Sequence, residues 1–387
     1  MKKKVYLVIA SLLVLGIFFL YFQGEHGRIF VTYNMPQTET ESREPSFGDD
    51  IGTSVDFDDV DFEITQHGYN LLSKEKRDTL RKSYLVTRDG AEAKITFHVV
   101  DSTGKNVPEA TIKTTFGVFE KPTTKTGKTD INGMFVWDGI TDGGVIYTVQ
   151  RDGYYRTQSV YVFSLDSGND VINGKWKPWN PTVSVTLKEK RTPIPMYVKS
   201  VGIRLPQKGE TFGFDFEKGD LVTPHGQGEH ADMLLRCWGD KPIPLTHAVS
   251  RYLILSYKTE DEGFIRKNRD TQSIFHSLHE APDNGYEQET NLCYRRTNDK
   301  VLENNEFPQN EYLIFRSRVE LDDEGKIVKA HYGKIFDIWF DISANNLEGA
   351  AVRFLYYFNP APNDHSIEFD PSQNLFGNDR RENLFNP

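Results

Sequence analysis

The spacing of apolar and polar positions changes along this chain, and the first pattern is a continuous apolar run. Residues 5–22 are apolar apart from a serine, a glycine and two tyrosines, and three lysines precede them. A helix of this length measures about 27 Å, close to the hydrocarbon thickness of a bilayer. Residues 1–22 therefore predict a membrane-spanning helix with the lysines in the cytoplasm and the bulk of the chain extracytoplasmic.

A cleaved signal peptide is the alternative for the same segment, and it would leave a secreted protein. The run is longer than most signal cores, and residues 21–26 offer no Ala-x-Ala-like cleavage site. These two features favour an uncleaved signal anchor and a single-pass membrane protein.

An acidic, polar stretch follows the apolar run. Residues 36–63 contain ten acidic residues against a single arginine, a composition typical of a solvated linker. Residues 73–84 have helical spacing, with Ser73 as a capping residue. Residues 23–92 are therefore predicted to form an acidic linker with a short helix.

The period becomes two from Ala93 onward, where apolar and polar residues alternate in short runs. Turn sequences rich in Asp, Asn and Gly separate these runs, notably residues 101–104 and 129–133. We interpret the aspartates of these turns as acceptors for nearby backbone amides, with calcium binding as the alternative. Short alternating strands at this spacing predict a small β-sandwich over residues 93–190.

This segment also resembles a known family in three motifs that occur in the family's order. The motifs are Val100-Asp101-x-x-Gly104-Lys105-x-Val107-Pro108-x-Ala110-x-Ile112, Thr129-Asp130-x-Asn132-Gly133-x-Phe135 and Val145-x-Tyr147-x-Val149-x-x-x-Gly153-Tyr154. They resemble the carboxypeptidase regulatory-like (transthyretin-like) β-sandwich. The resemblance implies a non-catalytic accessory module of an exported bacterial protein.

Strand-like runs also dominate residues 194–387, which predict a second, larger β-rich domain, either a sandwich or a jelly roll. A helix is indicated only over residues 270–278. The predicted fold class is thus mostly β, with an N-terminal membrane helix, a small transthyretin-like sandwich and a larger β domain.

The charge balance limits the partners. There are 46 basic and 56 acidic residues, a formal net charge of −10, whereas nucleic-acid binding needs a basic surface. We therefore predict no nucleic-acid partner, and membrane contact only through the N-terminal helix. The sequence has no Walker or dinucleotide-binding motif, and we predict no cofactor.

The two cysteines, Cys237 and Cys293, fit two interpretations. In an oxidising compartment they could form a disulfide. Alternatively, both thiols are free and buried.

One polar loop has the composition of a metal site. His225, His230 and Asp232 lie within eight residues and could bind zinc or another transition metal, with a further ligand from the four histidines His247, His276, His279 and His331. Solvated histidines in a polar loop are the alternative. The neighbouring acids Asp215, Glu217 and Asp220 could instead act as paired carboxylates in glycoside hydrolysis.

Trp176 and Trp179 form a different candidate, because prolines hold both in one loop. Two flat rings could bind a sugar or a peptide, or they could pack in the seam between domains. Together these features favour a non-catalytic, extracytoplasmic protein of the bacterial cell envelope that binds a glycan or another envelope protein. The alternative is an exported metal-dependent or glycoside hydrolase with a catalytic C-terminal domain.

Overall fold

The computed structural model describes residues 55–56, 61–62, 74, 85–86, 88–117, 122–163, 171–240, 248–297, 300–342 and 349–377. The chain divides into two compact units, Met1–Leu72 and Ser73–Pro387. In the first unit, strands β1 (Val55–Asp56) and β2 (Asp61–Phe62) pair in antiparallel fashion. The predicted membrane helix, and all but one residue of the predicted helix over 73–84, lie outside the described residues. No helix within the described ranges has the length and apolarity to cross a membrane.

Strands make up most of the second unit, which confirms the prediction of a mostly β protein. Its N-terminal part contains β3 (Ala91–Asp101), β4 (Thr111–Phe116), β5 (Thr123–Lys128), β6 (Met134–Thr141), β7 (Gly144–Gln150), β8 (Thr157–Val162), β9 (Val171–Ile172), β10 (Lys175–Trp176) and β11 (Thr182–Leu187). These strands form the first sandwich.

The long strand β3 organises the first sandwich. It pairs with antiparallel β6 on one side and with parallel β10 and β11 on the other, while β9 lies beyond β10. The second sheet has the order β5-β4-β7-β8. Ile95, Phe97 and Val99 of β3 are fully buried, as are Val145 and Val149 of β7. The predicted alternation thus places one face of each sheet in a shared core.

Asp-x-x-Gly turns connect several strands in one repeated geometry. In residues 101–105 and 130–134, the Oδ1 of the aspartate accepts hydrogen bonds from the amides two and four residues later. The glycines, Gly104 and Gly133, have φ values of +84° and +71°, which residues with a side chain rarely adopt. A third turn, residues 322–326, repeats the pattern. These bonds confirm the interpretation of the aspartates as turn residues.

The C-terminal part of the unit forms a second sandwich. Its strands are β12 (Ile194–Leu205), β13 (Thr211–Asp215), β14 (Asp220–Leu221), β15 (Met233–Asp240), β16 (Val249–Ser256), β17 (Gly263–Asn268), β18 (Glu289–Arg296), β19 (Val301–Asn305), β20 (Glu311–Leu321), β21 (Ile327–Asp341), β22 (Ala350–Phe358) and β23 (Phe369–Asn374). One sheet has the order β17-β20-β21-β22-β12-β23, and the other has the order β14-β13-β15-β16-β18-β19. The main core lies between them and is rich in phenylalanine.

The first of these two sheets is apolar on both faces. Its outer face carries a second apolar cluster, which includes Met196, Tyr332 and Phe369. Ala281 and Ile367 belong to this cluster but lie outside the strands, in segments that run between β17 and β18 and between β22 and β23. Irregular segments therefore cover the outer face of this sheet.

The helix predicted over residues 270–278 is wrong, because this segment is irregular. Its backbone pairs with distant parts of the chain. The amide of Gln158 donates to the carbonyl of Gln272, and the amide of Ile274 donates to that of Arg156. The amide of Leu278 donates to the hydroxyl of Tyr312. Tertiary hydrogen bonds have replaced those of a helix.

A buried glutamate joins the two sandwiches. Glu368 is 1% exposed and accepts a hydrogen bond of 2.6 Å from the hydroxyl of Tyr155 in the first sandwich. It also accepts bonds of 3.0 Å from the amides of Arg191 and Thr192, in the connection between the sandwiches. Its carboxylate therefore ties three separate parts of the chain together.

Lys188 reinforces the same joint from the first sandwich. Its Nζ donates to the carbonyls of Phe275 and Ser277 at 3.0 and 3.1 Å and lies 3.3 Å from the carboxylate of Asp270. The ring of Tyr155 stacks on Phe275, with 4.8 Å between the centroids. Backbone, charged and aromatic contacts thus converge on the irregular segment that replaces the predicted helix.

A fully buried lysine lies beneath this joint. Lys334 is 0% exposed, and its Nζ donates to Ser277 Oγ at 2.8 Å. The Nζ also lies 4.6 to 5.8 Å from the ring centroids of Phe275, Phe336 and Tyr357. Burial holds the pKa of Lys334 well below its ordinary value.

We expect Lys334→Met to raise the free energy of unfolding at pH 7 by about 1 kcal/mol, because a lysine with a lowered folded pKa opposes folding at neutral pH. The unfolded lysine holds its proton up to about pH 10.4. The stability of the wild type should therefore rise with pH below this value, and the variant should lack this rise. Urea unfolding at pH 7 and pH 10 measures both effects. Lys334→Ala, which leaves a cavity, should lose stability at either pH. Equal destabilisation of Lys334→Met at both pH values would contradict the prediction.

Candidate functional site

The candidate metal loop lies at one end of the second sandwich, where it follows β14 and returns to β15. A bridge between Val222 and Gly228 closes it. At Gly226, a Cβ atom would lie 2.4 Å from the carbonyl oxygen of Leu221, and at Gly228 it would lie 2.8 Å from the Cβ of Asp215. Both glycines are therefore required because the loop folds tightly back on β14 and on the end of β13.

Asp215 organises this loop from beneath. Its side chain is 1% exposed. One oxygen accepts the amides of Glu217 and Lys218, and the other accepts those of Glu229 and His230, at 2.8 to 3.1 Å. Burial alone would raise the pKa of Asp215, but the four amide donors lower it overall. The carboxylate is thus an ionised acceptor for two turns of the backbone.

Asp215→Asn should lower the free energy of unfolding by about 2 kcal/mol at pH 7, because an amide group would face donors where an oxygen now accepts them. A carboxylate with a lowered pKa stabilises the fold above its unfolded pKa, which is about 3.9. This stabilisation is lost as the pH falls from the unfolded pKa through the folded pKa, so the two proteins should begin to converge below about pH 4. Chemical unfolding across this pH range tests the prediction. Asp322→Asn, in an exposed Asp-x-x-Gly turn, is the matched control and should lose less stability than Asp215→Asn. An equal loss in the two variants would contradict it.

Asp232 is held by an arginine from the opposite sheet. Arg318 Nε and Nη2 donate to its two oxygens at 2.6 and 2.9 Å, and Nη1 donates to Glu217. The guanidinium also lies 5.1 Å from the ring centroid of Phe358. Burial raises the pKa of Asp232, and Arg318 opposes that rise. Both oxygens of the buried Asp232 thus form an ion pair with a half-buried arginine.

The structure does not gather the predicted ligands His225, His230 and Asp232 into a metal-binding group. The ring of His225 packs edge-on against Phe212, with 5.0 Å between the centroids, and His230 is exposed. In the described ranges, no group of three or more His, Cys, Asp or Glu residues could hold a metal ion.

Most of the remaining candidate acid and histidine side chains contact backbone groups of the protein. Asp220 accepts hydrogen bonds from the amides of Leu221 and Gln227. The distant histidines His276, His279 and His331 each contact a backbone carbonyl, at 2.7, 2.8 and 3.4 Å. His247 lies outside the described residues. Of the three acids proposed as paired carboxylates, Asp215 and Asp220 are therefore occupied by backbone amides, and Glu217 accepts a hydrogen bond from Arg318.

The two tryptophans of the other candidate separate. Trp176 is 1% exposed and belongs to the core of the first sandwich, where its Nε1 donates to the carbonyl of Thr141 at 2.8 Å. Trp179 is 37% exposed, and Lys175 Nζ lies 4.7 Å from its ring centroid. Only Trp179 therefore offers an aromatic surface to a ligand, and Trp176 packs within one sandwich and not between domains.

The two cysteines are free and buried. Cys237 on β15 is paired with Leu253, and Cys293 on β18 is paired with Tyr252. Because β16 lies between the two strands, the cysteines are about two strand spacings apart, roughly 10 Å. A disulfide requires Cα atoms within about 7 Å, so the disulfide alternative is not realised.

Arg318, Glu368 and Lys334 are the residues that sequence reasoning missed. Each lies in or beside a strand of the second sandwich, and each has partners that are distant in the sequence. The one local signal was an ionisable residue within an apolar run, as for Lys334 in Ala330–Phe336, and this signal does not identify the partners.

Comparisons with known proteins yield only distant likenesses. No family model matches the chain, and no curated protein matches it. Among solved structures, it is similar to a 3-chlorocatechol 1,2-dioxygenase from Rhodococcus opacus 1CP, with 13% identity, a TM-score of 0.22 and coverage of 26% of this chain and 61% of that chain. It is also similar to a catechol 1,2-dioxygenase from Pseudomonas arvilla C-1, with 11% identity, a TM-score of 0.22 and coverage of 28% and 56%. The chain thus spans less than two thirds of these proteins.

Proposed function

We propose that this chain is a non-catalytic, membrane-anchored protein of the bacterial cell envelope whose extracytoplasmic part binds a glycan or another envelope protein. The observation that carries the proposal is that the fold itself uses a candidate catalytic acid, Asp215, and a candidate metal ligand, Asp232. Asp215 is occupied by four amides, and Asp232 is paired with Arg318. A general acid or base needs access to the substrate, and both carboxylates are already bound by groups of the protein.

The proposal includes the family resemblance of residues 93–190 to a carboxypeptidase regulatory-like module. The support is local: the first two motifs contain Asp-x-x-Gly turns, and strands β3, β4, β6 and β7 follow the order of the motifs. For the second sandwich we propose a binding or spacing role. The joint through Glu368 fixes its contact with the first sandwich.

Localisation is tested first, in intact bacterial cells that express the full chain. Protease added outside the cytoplasmic membrane, after removal of any outer membrane, should digest the part of the chain that follows residue 22. A chain that is fully protected from the protease and is recovered in the soluble cytosolic fraction would overturn the proposed location. Replacement of the three N-terminal lysines by glutamates is the matched control and should impair correct insertion.

Binding is tested with the full chain in detergent and with isolated, insoluble cell-wall glycan. We expect cosedimentation, and we expect Trp179→Ala to reduce the bound fraction. Trp339→Ala is a matched control, because Trp339 is 40% exposed and also lies under a cation, Arg353 at 5.0 Å. Equal losses in both variants would contradict a site at Trp179. Absence of binding would leave an envelope protein as the partner in the proposal.

A further inference from the structure

Strand β6 is an open edge of the first sandwich. In the part of the chain that the structure describes, it pairs with β3 alone. The amides of Glu92 and Thr96 in β3 donate to Gly174 and Pro181, on the side away from β6. Their partners in β6 are Ile140 and Val136. Since antiparallel pairs alternate between bonded and non-bonded positions, these two residues direct their N–H and C=O groups to the open side.

Asp138 lies between them with the same orientation. It faces Lys94 across the strand pair, and within the described residues its carboxylate has neither a hydrogen bond nor an ion pair. Val136 and Ile140 are 46% and 53% exposed. The edge therefore presents three residues with unused main-chain groups and an aliphatic–acidic–aliphatic row of side chains.

The edges formed by β8, β17 and β5 are covered or protected. Residues 272–274 bond to the backbone beside and within β8. Phe264 of β17 exchanges two backbone hydrogen bonds with Glu287. β5 is interspersed with lysines, a common defence of edge strands. Within the described ranges, no backbone hydrogen bonds from another segment cover β6 beyond its pairing with β3, and β6 contains no lysine.

A second feature accompanies this edge. The Nε1 of Trp137, the residue between Val136 and Asp138, is buried and has no acceptor in the described part of the chain. A buried N–H without a partner is unfavourable, and such groups are rare in folded proteins. The open main-chain groups and the unsatisfied indole thus occur in the same strand.

We propose that the edge of β6 receives an extended segment of a partner protein by strand addition, and that this segment carries a lysine or arginine between two aliphatic residues on one face. The main-chain groups of Val136, Asp138 and Ile140 supply the pairing. The side chains of Val136 and Ile140 would pack against the aliphatic side chains of the partner strand, and Asp138 would pair with its lysine or arginine. The inference rests on the proposed function in one respect, namely that the partner is an envelope protein.

A second copy of this chain is a poorer occupant. Two β6 strands related by a two-fold axis at Asp138 would pair Val136 with Ile140 and would place the two carboxylates opposite each other. Like charges in this position are destabilising. Asp138 therefore disfavours self-pairing while favouring a basic partner strand.

The test uses the full chain in detergent and a short synthetic peptide in which a lysine lies between two valines, with threonines at the intervening positions. We expect binding with new hydrogen-exchange protection of the amides of Val136, Asp138 and Ile140. Asp138→Lys should weaken binding about tenfold, and a peptide with glutamate in place of lysine should bind this variant better than the wild type. Asp138→Ala keeps the main-chain amide, and its affinity for the lysine peptide should lie between those of the wild type and Asp138→Lys.

Asp138→Pro tests the main-chain pairing, since its N–H is not used in the β3–β6 ladder and proline is tolerated at such positions. It should fold and fail to bind the peptide. Binding unaffected by Asp138→Pro, or protection at other amides, would overturn the proposal. Self-association that protects the same three amides without peptide would also overturn it, in favour of a second copy. None of these outcomes depends on where the protein resides, so failure here is distinguishable from failure of the proposed localisation.

Discussion

Glu368→Ala is expected to lower the free energy of unfolding by about 3–5 kcal/mol, because it leaves three hydrogen-bond donors without an acceptor at the joint between the sandwiches. The hydroxyl of Tyr155 and the amides of Arg191 and Thr192 would lose their acceptor at once. Urea unfolding followed by tryptophan fluorescence measures the loss. We also expect new proteolytic cleavage in the connection around residues 191–193.

Two further variants give this prediction its controls. Glu280→Ala removes an exposed partner of Arg191 in the same region, at 3.4 Å, and should change stability little. Glu368→Gln keeps one carbonyl acceptor and should fall between the wild type and the alanine variant. A loss in Glu368→Ala as small as that in Glu280→Ala would show that the joint does not depend on this carboxylate.

Arg318→Met is expected to lower the free energy of unfolding by about 3–5 kcal/mol at pH 7, because it leaves the buried Asp232 without its cation. In the variant, burial raises the pKa of Asp232 without the opposing effect of Arg318, so this pKa lies above its unfolded value although the amide of Phe216 still donates to the carboxylate. The penalty is complete above the folded pKa and disappears below the unfolded pKa, as the carboxyl becomes protonated in both states. The stability difference from the wild type should thus shrink between pH 7 and pH 4.

The double variant Arg318→Met, Asp232→Asn separates the ion pair from other effects. It removes the buried charge and should recover part of the loss at pH 7. Arg318 has a φ of +52°, so the backbone at this position is unusual for a side-chain-bearing residue. A loss in Arg318→Met that is independent of pH and is not recovered in the double variant would assign the effect to the backbone or to packing on Phe358.

Period-two patterns predicted many of the strands, because alternation follows directly from burial of one face. β3, β7 and β12 show this clearly, since their inward residues are apolar and their outward residues are mostly polar. β5 has no apolar alternation in its sequence, because its residues Thr123–Lys128 are polar or glycine throughout. β19 also lacks alternation, because its two apolar residues, Val301 and Leu302, are adjacent, and all five of its residues are exposed. An edge strand with little buried surface leaves little trace in the sequence.

The site was harder to predict than the strands, because side-chain roles here depend on partners that are distant in sequence. Asp232 was predicted as a metal ligand, whereas the structure pairs it with Arg318, which lies 86 residues away in the sequence. Trp176 and Trp179 are three residues apart in one loop and were expected to act together. A strand residue and a loop residue point into different environments, and only the pairing of β10 with β3 decides which is buried.

The return of the chain at β23 has a consequence for the order of events during synthesis. Ile194 in β12 pairs with Phe369 in β23, and Glu368, beside it, completes the joint with Tyr155. The first sandwich and nearly all of the second must therefore emerge before either contact can form. Pairings so distant in the chain form slowly, and unfinished sheets are prone to aggregation. A nascent chain shortened before residue 368 would expose the joint, and we expect it to be a preferred substrate for chaperones and proteases.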